Sequence, residues 1–210
     1  GSALQHHGGG EGLDPGAAYE CAHAVTAGAG AGTEPWAAWV DAPAAAAGPI
    51  VTEVLLNPAG DEPEQELVEL VNPGTAPIDL GLYRISDSDP SLAADPSAVG
   101  DAIPIGSILQ PGSVAIIVAA GYVPGGADPA PAAGCLIVRL DGSIGSSGLR
   151  NEGGEPVFLF EAGSGSIASF YPNALGTTAQ GSSATKVAAD LPDGDQLSWV
   201  EADPTPGAVP

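Results

Sequence analysis

After Pro49 the sequence breaks into short apolar segments, each closed by a cluster of Gly, Pro, Asn or Asp. The segments are Ile50 to Leu56, Glu66 to Asn72, Leu82 to Ser86, Ser113 to Ala119, Cys135 to Leu140, Pro156 to Glu161, Ile167 to Tyr171 and Gln196 to Val200. Between them lie Asn57-Pro58-Ala59-Gly60-Asp61, Asn72-Pro73-Gly74, Gln110-Pro111-Gly112, Asp141-Gly142 and Asn151-Glu152-Gly153-Gly154. Pro fixes φ and Gly accepts positive φ, so these clusters read as turns. Short strands at this spacing predict an all-β domain, a sandwich or barrel. No amphipathic helical period follows residue 49.

The strands do not alternate cleanly. Ile116-Ile117-Val118, Leu136-Ile137-Val138 and Val157-Phe158-Leu159-Phe160 are apolar on both faces. A half-solvated strand would alternate, so the outer face of one sheet is expected to be covered. The expected cover is the N-terminal extension. Residues 1 to 13 form a Gly-rich leader. Asp14-Pro15 reads as a helix start, with a short helix over residues 15 to 27. Trp36 and Trp39 form an apolar patch that suits docking on the sandwich. Ala42 to Pro49 reads as a linker. The expected division is therefore an extension over residues 1–49 and a sandwich over residues 50–210.

Charge narrows function. The chain carries 26 Asp and Glu against four Lys and Arg, a formal net charge of −22. Nucleic-acid binding needs cations to displace condensed counterions, so that class is excluded. Anionic membrane surfaces are disfavoured for the same reason. No apolar run is long enough to span a bilayer. His6, His7 and His23 all precede residue 24, which leaves Arg84, Arg139, Arg150 and Lys186 as the later cations. Hydrolases and nucleases usually place a His, Lys or Arg near the reacting atom. No G-x-S-x-G elbow, P-loop or dinucleotide fingerprint appears. Two carboxylates could serve glycoside hydrolysis, but aromatics for a sugar platform make up only 5% of the chain. The chain opens Gly1-Ser2 and contains no Met, which reads as a trimmed start with any signal or lipid anchor upstream.

Two candidate sites stand out. Asp61, Glu62, Asp87 and Asp89 are loop carboxylates suited to calcium, a hard ion that takes oxygen ligands. Asp87-Ser88-Asp89 has the spacing that opens many calcium loops, although the EF-hand register fails further on. The other reading of these acids is a solvated surface. Cys21 and Cys135 fit no metal spacing and permit one intramolecular disulfide. Closing so long a loop contributes about 4–5 kcal/mol in the chain-entropy model. The alternative is two unrelated buried thiols. Glu69 falls between Leu67 and Val71 on one strand face, which predicts burial. Its expected partner is Arg84 or a turn backbone.

The segments after Pro49 resemble a lamin tail domain of the bacterial type. Ile50 to Asp61 is similar to that family's opening strand and Asn-Pro turn. Glu66-Leu67-Val68-Glu69-Leu70-Val71-Asn72 is similar to its second strand. Ile78 to Asp87 follows its next element, with Tyr83 where the family more often has Trp. Leu109-Gln110-Pro111-Gly112, Leu149-Arg150-Asn151-Glu152-Gly153-Gly154 and the closing Trp199 with Thr205-Pro206-Gly207 complete the set. Segments 87 to 107 and 121 to 134 look like surface insertions. The resemblance implies an immunoglobulin-like β-sandwich without a catalytic centre. It also implies an accessory module of secreted or envelope-associated proteins.

The expected function is a non-catalytic interaction or structural module, extracellular or at a bacterial cell envelope, with a protein partner and no nucleic acid. No cofactor is expected, calcium apart. The competing readings are a metal-dependent hydrolase built from loop carboxylates and a calcium-stabilised surface spacer.

Overall fold

The structure is a computed structural model and describes residues 48–208. Twelve strands run through these residues: β1 (Ile50–Asn57), β2 (Leu67–Val71), β3 (Ile78–Asp79), β4 (Tyr83–Ser86), β5 (Asp101–Ala102), β6 (Ile108–Leu109), β7 (Val114–Val118), β8 (Leu136–Arg139), β9 (Val157–Glu161), β10 (Ile167–Tyr171), β11 (Ser182–Lys186) and β12 (Trp199–Ala202). Among the described residues the only helical pieces are short 3-10 turns. The expected helix over residues 15 to 27, the Trp36 and Trp39 patch and its docking lie outside the described residues.

Two sheets make the sandwich. One has six strands in the order β12-β11-β1-β2-β7-β8, the other four in the order β10-β9-β4-β5. A small β3-β6 pair completes the set. Neighbours are antiparallel except β7 and β8, which run parallel. Between the sheets lie Val51, Val54, Leu56, Val68, Leu70 and Ile117 from the first, and Ile85, Val157, Leu159 and Tyr171 from the second. Each such side chain contributes about 1.5–3 kcal/mol when fully buried.

The outer face of the six-stranded sheet is also covered over Ile116 and Val118, as their apolar run requires, whereas Ile137 of the Leu136-Ile137-Val138 run is exposed on β8 and Val157 to Phe160 belongs to the other sheet. A parallel pair cannot be joined by a hairpin, so the chain from β7 to β8 must cross over the sheet. That crossing packs Tyr122 and Cys135 on Leu55, Leu67, Ile116 and Val118. Residues 121 to 134, expected as a surface insertion, are thus part of the cover. Asp128 within them accepts from Ala59 N and Gly60 N at 2.9 and 2.8 Å, holding the Asn-Pro turn after β1. The segment from residue 87 to 107 is likewise more than a loop. It supplies β5 to the sheet edge and Ile103 to the core.

Four strands escape the sequence pattern. β3, β5 and β6 have two residues each, too short for a period. β11, Ser182-Ser183-Ala184-Thr185-Lys186, is polar, yet it lies between β1 and β12 with both edges bonded. β12 begins later than expected, because Asp195 accepts from Leu197 N and caps a 3-10 turn over Gln196–Ser198.

Candidate functional site

The acids, not a cleft, distinguish this domain. Glu53, Glu66 and Glu69 are almost wholly buried on β1, β2 and the residue just before β2. A bulge between Val51 and Glu53 places Thr52 and Glu53 together on the outer face. There Glu53 lies opposite Glu69 in the β1–β2 ladder. Thr52 Oγ1 donates to Glu69 at 2.7 Å, and Gly207 N donates to its other oxygen at 2.6 Å. Thr205 N donates to Glu53 at 3.0 Å. The Thr205-Pro206-Gly207 segment is therefore strapped over the sheet by two carboxyls.

The expected Arg84 partner of Glu69 is a correction. Arg84 Nε and Nη2 donate to the carbonyls of Val99 and Gly100, both at 2.6 Å, across the other sheet. Glu69 instead meets the alternative expectation, the backbone of a turn. Burial pushes Glu69 up to about 7, with Glu53 adding to the rise, while the bonds from Thr52 and Gly207 oppose it. Glu53 is raised by burial too, against bonds from Ser183 and Thr205. Cys135 packs beside the strap, and burial, with Glu69 adding, pushes its thiol up to about 11.

Glu66 is the third buried acid. Its carboxylate accepts from Leu149 N at 2.8 Å. Burial pushes it up to about 8, reinforced by Glu62, Glu155 and Glu64. The Leu-x-Asn-x-Gly segment thus closes over Glu66. A Cβ at Gly148 would stand 2.5 Å from Pro63 Cβ and 2.6 Å from Glu66 Oε1, and its φ of +94° suits Gly alone.

The calcium candidates have these surroundings. Asp61 is exposed. Asn151 Nδ2 donates to both oxygens of Glu62 at 2.7 Å. Asp89 accepts from Ser91 N at 2.8 Å as the cap of a 3-10 turn over Pro90–Leu92. Asp87 accepts from Ser88 Oγ at 3.1 Å and borders two adjoining grooves of about 380 and 280 Å³. Asp101 and Glu155 line those grooves as well, and sequence reasoning missed both. Burial raises each, with Asp87 adding to the rise. Among the described residues no group of three or more His, Cys, Asp or Glu is arranged to hold a metal ion. Cys21 lies outside the described residues, so its pairing with Cys135 stays a proposal.

Chemically the grooves are shallow, polar and without an aromatic wall. Their serines have no imidazole beside them among the described residues, since His6, His7 and His23 lie outside. The strap, the Asn-Pro turn and the Glu66 closure join the sequence motifs to each other through buried carboxyls.

The Lamin Tail Domain family model matches residues 42–174. The chain belongs to the lamin tail domain family. It is a family of non-catalytic immunoglobulin-like domains, of structural or interaction type. In this lamin tail domain the matched span ends before β11, β12 and the strap. No curated protein and no solved structure matches the chain.

Proposed function

We propose that this lamin tail domain is a protein-interaction or structural module of a secreted or envelope-associated bacterial protein. One observation carries the reading: of the four cations after residue 49, three are tied to groups of the fold itself and the fourth, Arg150, is exposed among many acids. Arg84 holds the Val99 and Gly100 carbonyls. Arg139 Nη1 donates to Tyr122 O at 2.6 Å, with its guanidinium over the Tyr122 ring. Lys186 is buried against Asp193. The outside therefore carries carboxylates with little to balance them. Such a surface repels phosphate backbones and attracts basic protein. Among the described residues no helix is long and apolar enough to cross a membrane.

Photo-crosslinking of the full chain in its host, followed by fractionation, tests this. A discrete basic protein crosslinked in the envelope or medium is the expected result. The rival hydrolase reading requires turnover by the purified chain that is lost in Asp101→Asn and Glu155→Gln, and that result would replace the proposal. An oxidising compartment also predicts a Cys21–Cys135 bond, read as a non-reduced mass two hydrogens lighter.

A further inference from the structure

β12 ends the six-stranded sheet and pairs only with β11 among the described residues. An edge strand offers free N–H and C=O groups to any extended chain, and soluble proteins usually guard it with Lys, Pro, a bulge or a cover. β12 has no Lys, no Pro and a regular ladder with β11. The free edge of β10, by contrast, is engaged: Asp193 accepts from Phe170 N and from Ser169 Oγ.

The side chains around β12 are apolar at the centre and acidic at the rim. Val200 is 45% exposed, Val187 50% and Leu197 85%. Thr185 faces Val200 in the ladder, and Val187 N donates to Ser198 O, so Val187 and Val200 lie diagonally across one face. Asp190, Asp195, Glu201 and Asp203 on the same stretches are exposed, with Asp195 accepting from Leu197 N at 3.0 Å and Glu201 from Ala179 N at 2.7 Å. Lys186, the cation of this stretch, points the other way, 1% exposed, with its Nζ on Asp193 and over the Trp199 ring.

We propose that the β12 edge binds an extended segment of alternating apolar and basic residues, which adds to the sheet as a further strand. The proposal rests on the interaction reading and names its surface. The backbone of the segment bonds to the open side of β12. Its apolar side chains meet Val187, Leu197 and Val200, and its Lys or Arg side chains meet the acidic rim. Charge selects this occupant over a second copy, because two such rims brought edge to edge repel.

The test titrates the whole chain with three capped hexapeptides: alternating Lys and Val, alternating Glu and Val, and the Lys–Val peptide with a central Pro. Amide exchange and chemical shifts report the site. The Lys–Val peptide is expected to protect Glu201 and its neighbours on β12, with affinity falling about tenfold or more from low to high salt. The Glu–Val and Pro peptides are expected not to bind. The double variant Leu197→Lys with Val200→Lys should lose the Lys–Val peptide about tenfold or more, because like charges now face each other, at an unchanged melting midpoint. Protection elsewhere, equal binding of the Pro peptide, or peptide-free dimerisation through β12 overturns the proposal. If a crosslinked natural partner binds the double variant as well as the parent, the edge assignment fails while the interaction reading stands.

Discussion

Asn72 shows how one amide can hold a turn. It is fully buried, and its Nδ2 donates to the carbonyls of Ala76 and Leu109 while its Oδ1 accepts from Gly74 N. Asp has the same shape without the donors. Asn72→Asp should therefore leave two buried carbonyls facing a carboxyl and cost about 2–4 kcal/mol, read as a lower urea midpoint. Glu66 supplies the pH response. Its folded value of about 8 stands above the ordinary 4.5, so the native state holds a proton that the unfolded chain releases. Its contribution is fully present below about pH 4.5 and is lost as pH rises through 8; Glu69 acts the same way through about 7. Urea midpoints should fall between pH 5 and pH 8.5, and Glu66→Gln, neutral throughout, should flatten that slope. A parallel slope in the variant would refute the assignment. The burial of Glu69 was readable from its parity with Leu67 and Val71. Glu66 shares the parity of Val68 and Leu70, so its burial was legible in the same way.

At the scale of elements, the sheets are tied at one edge by a polar knot. Lys186 Nζ of β11 meets Asp193 Oδ1 at 2.5 Å, and Asp193 Oδ2 accepts from Ser169 Oγ and Phe170 N of β10. Trp199 Nε1 of β12 donates to Asp193 O, and its ring packs edge-on against Tyr171 at 4.9 Å. The two partners are not equivalent. Asp193→Ala strands a buried ammonium and should cost about 3–5 kcal/mol. Lys186→Met leaves Asp193, partly exposed, with two donors, and should cost clearly less. Chemical denaturation of both variants decides, and an equal loss would contradict the ranking. The strap gives a second element-scale test. Gly207 has φ of +86°, and a Cβ there would stand 2.8 Å from Cys135 Cβ and 2.9 Å from Ala132 N. Gly207→Ala should cost about 2–4 kcal/mol and speed amide exchange at Thr205. Neither contact was legible in the sequence, because each joins positions set together only by the sheet. β11 was missed because its face is held by hydrogen bonds and ladder position, not by an apolar pattern.

For the whole molecule, charge is the dominant variable. A net charge of −22 works against compactness, so added salt should raise the melting midpoint. Among the described residues no three acids are arranged to hold a metal ion, so calcium should act no more strongly than another salt at equal ionic strength, and EDTA should have no effect. A calcium-specific rise would restore the ion-stabilised spacer. The sandwich itself was legible because short apolar runs and turn clusters dictate it. The cover of the outer face was legible as a need, while its supplier among the described residues, the β7–β8 crossing and the strap, follows from a parallel pairing that no residue pattern announces. That strap also has a consequence for biosynthesis. A ribosome delivers β1 long before Gly207, so Glu53 and Glu69 must wait, hydrated and ionised, until almost all of this domain has left the exit tunnel; the module can fasten shut only after translation has passed its final turn.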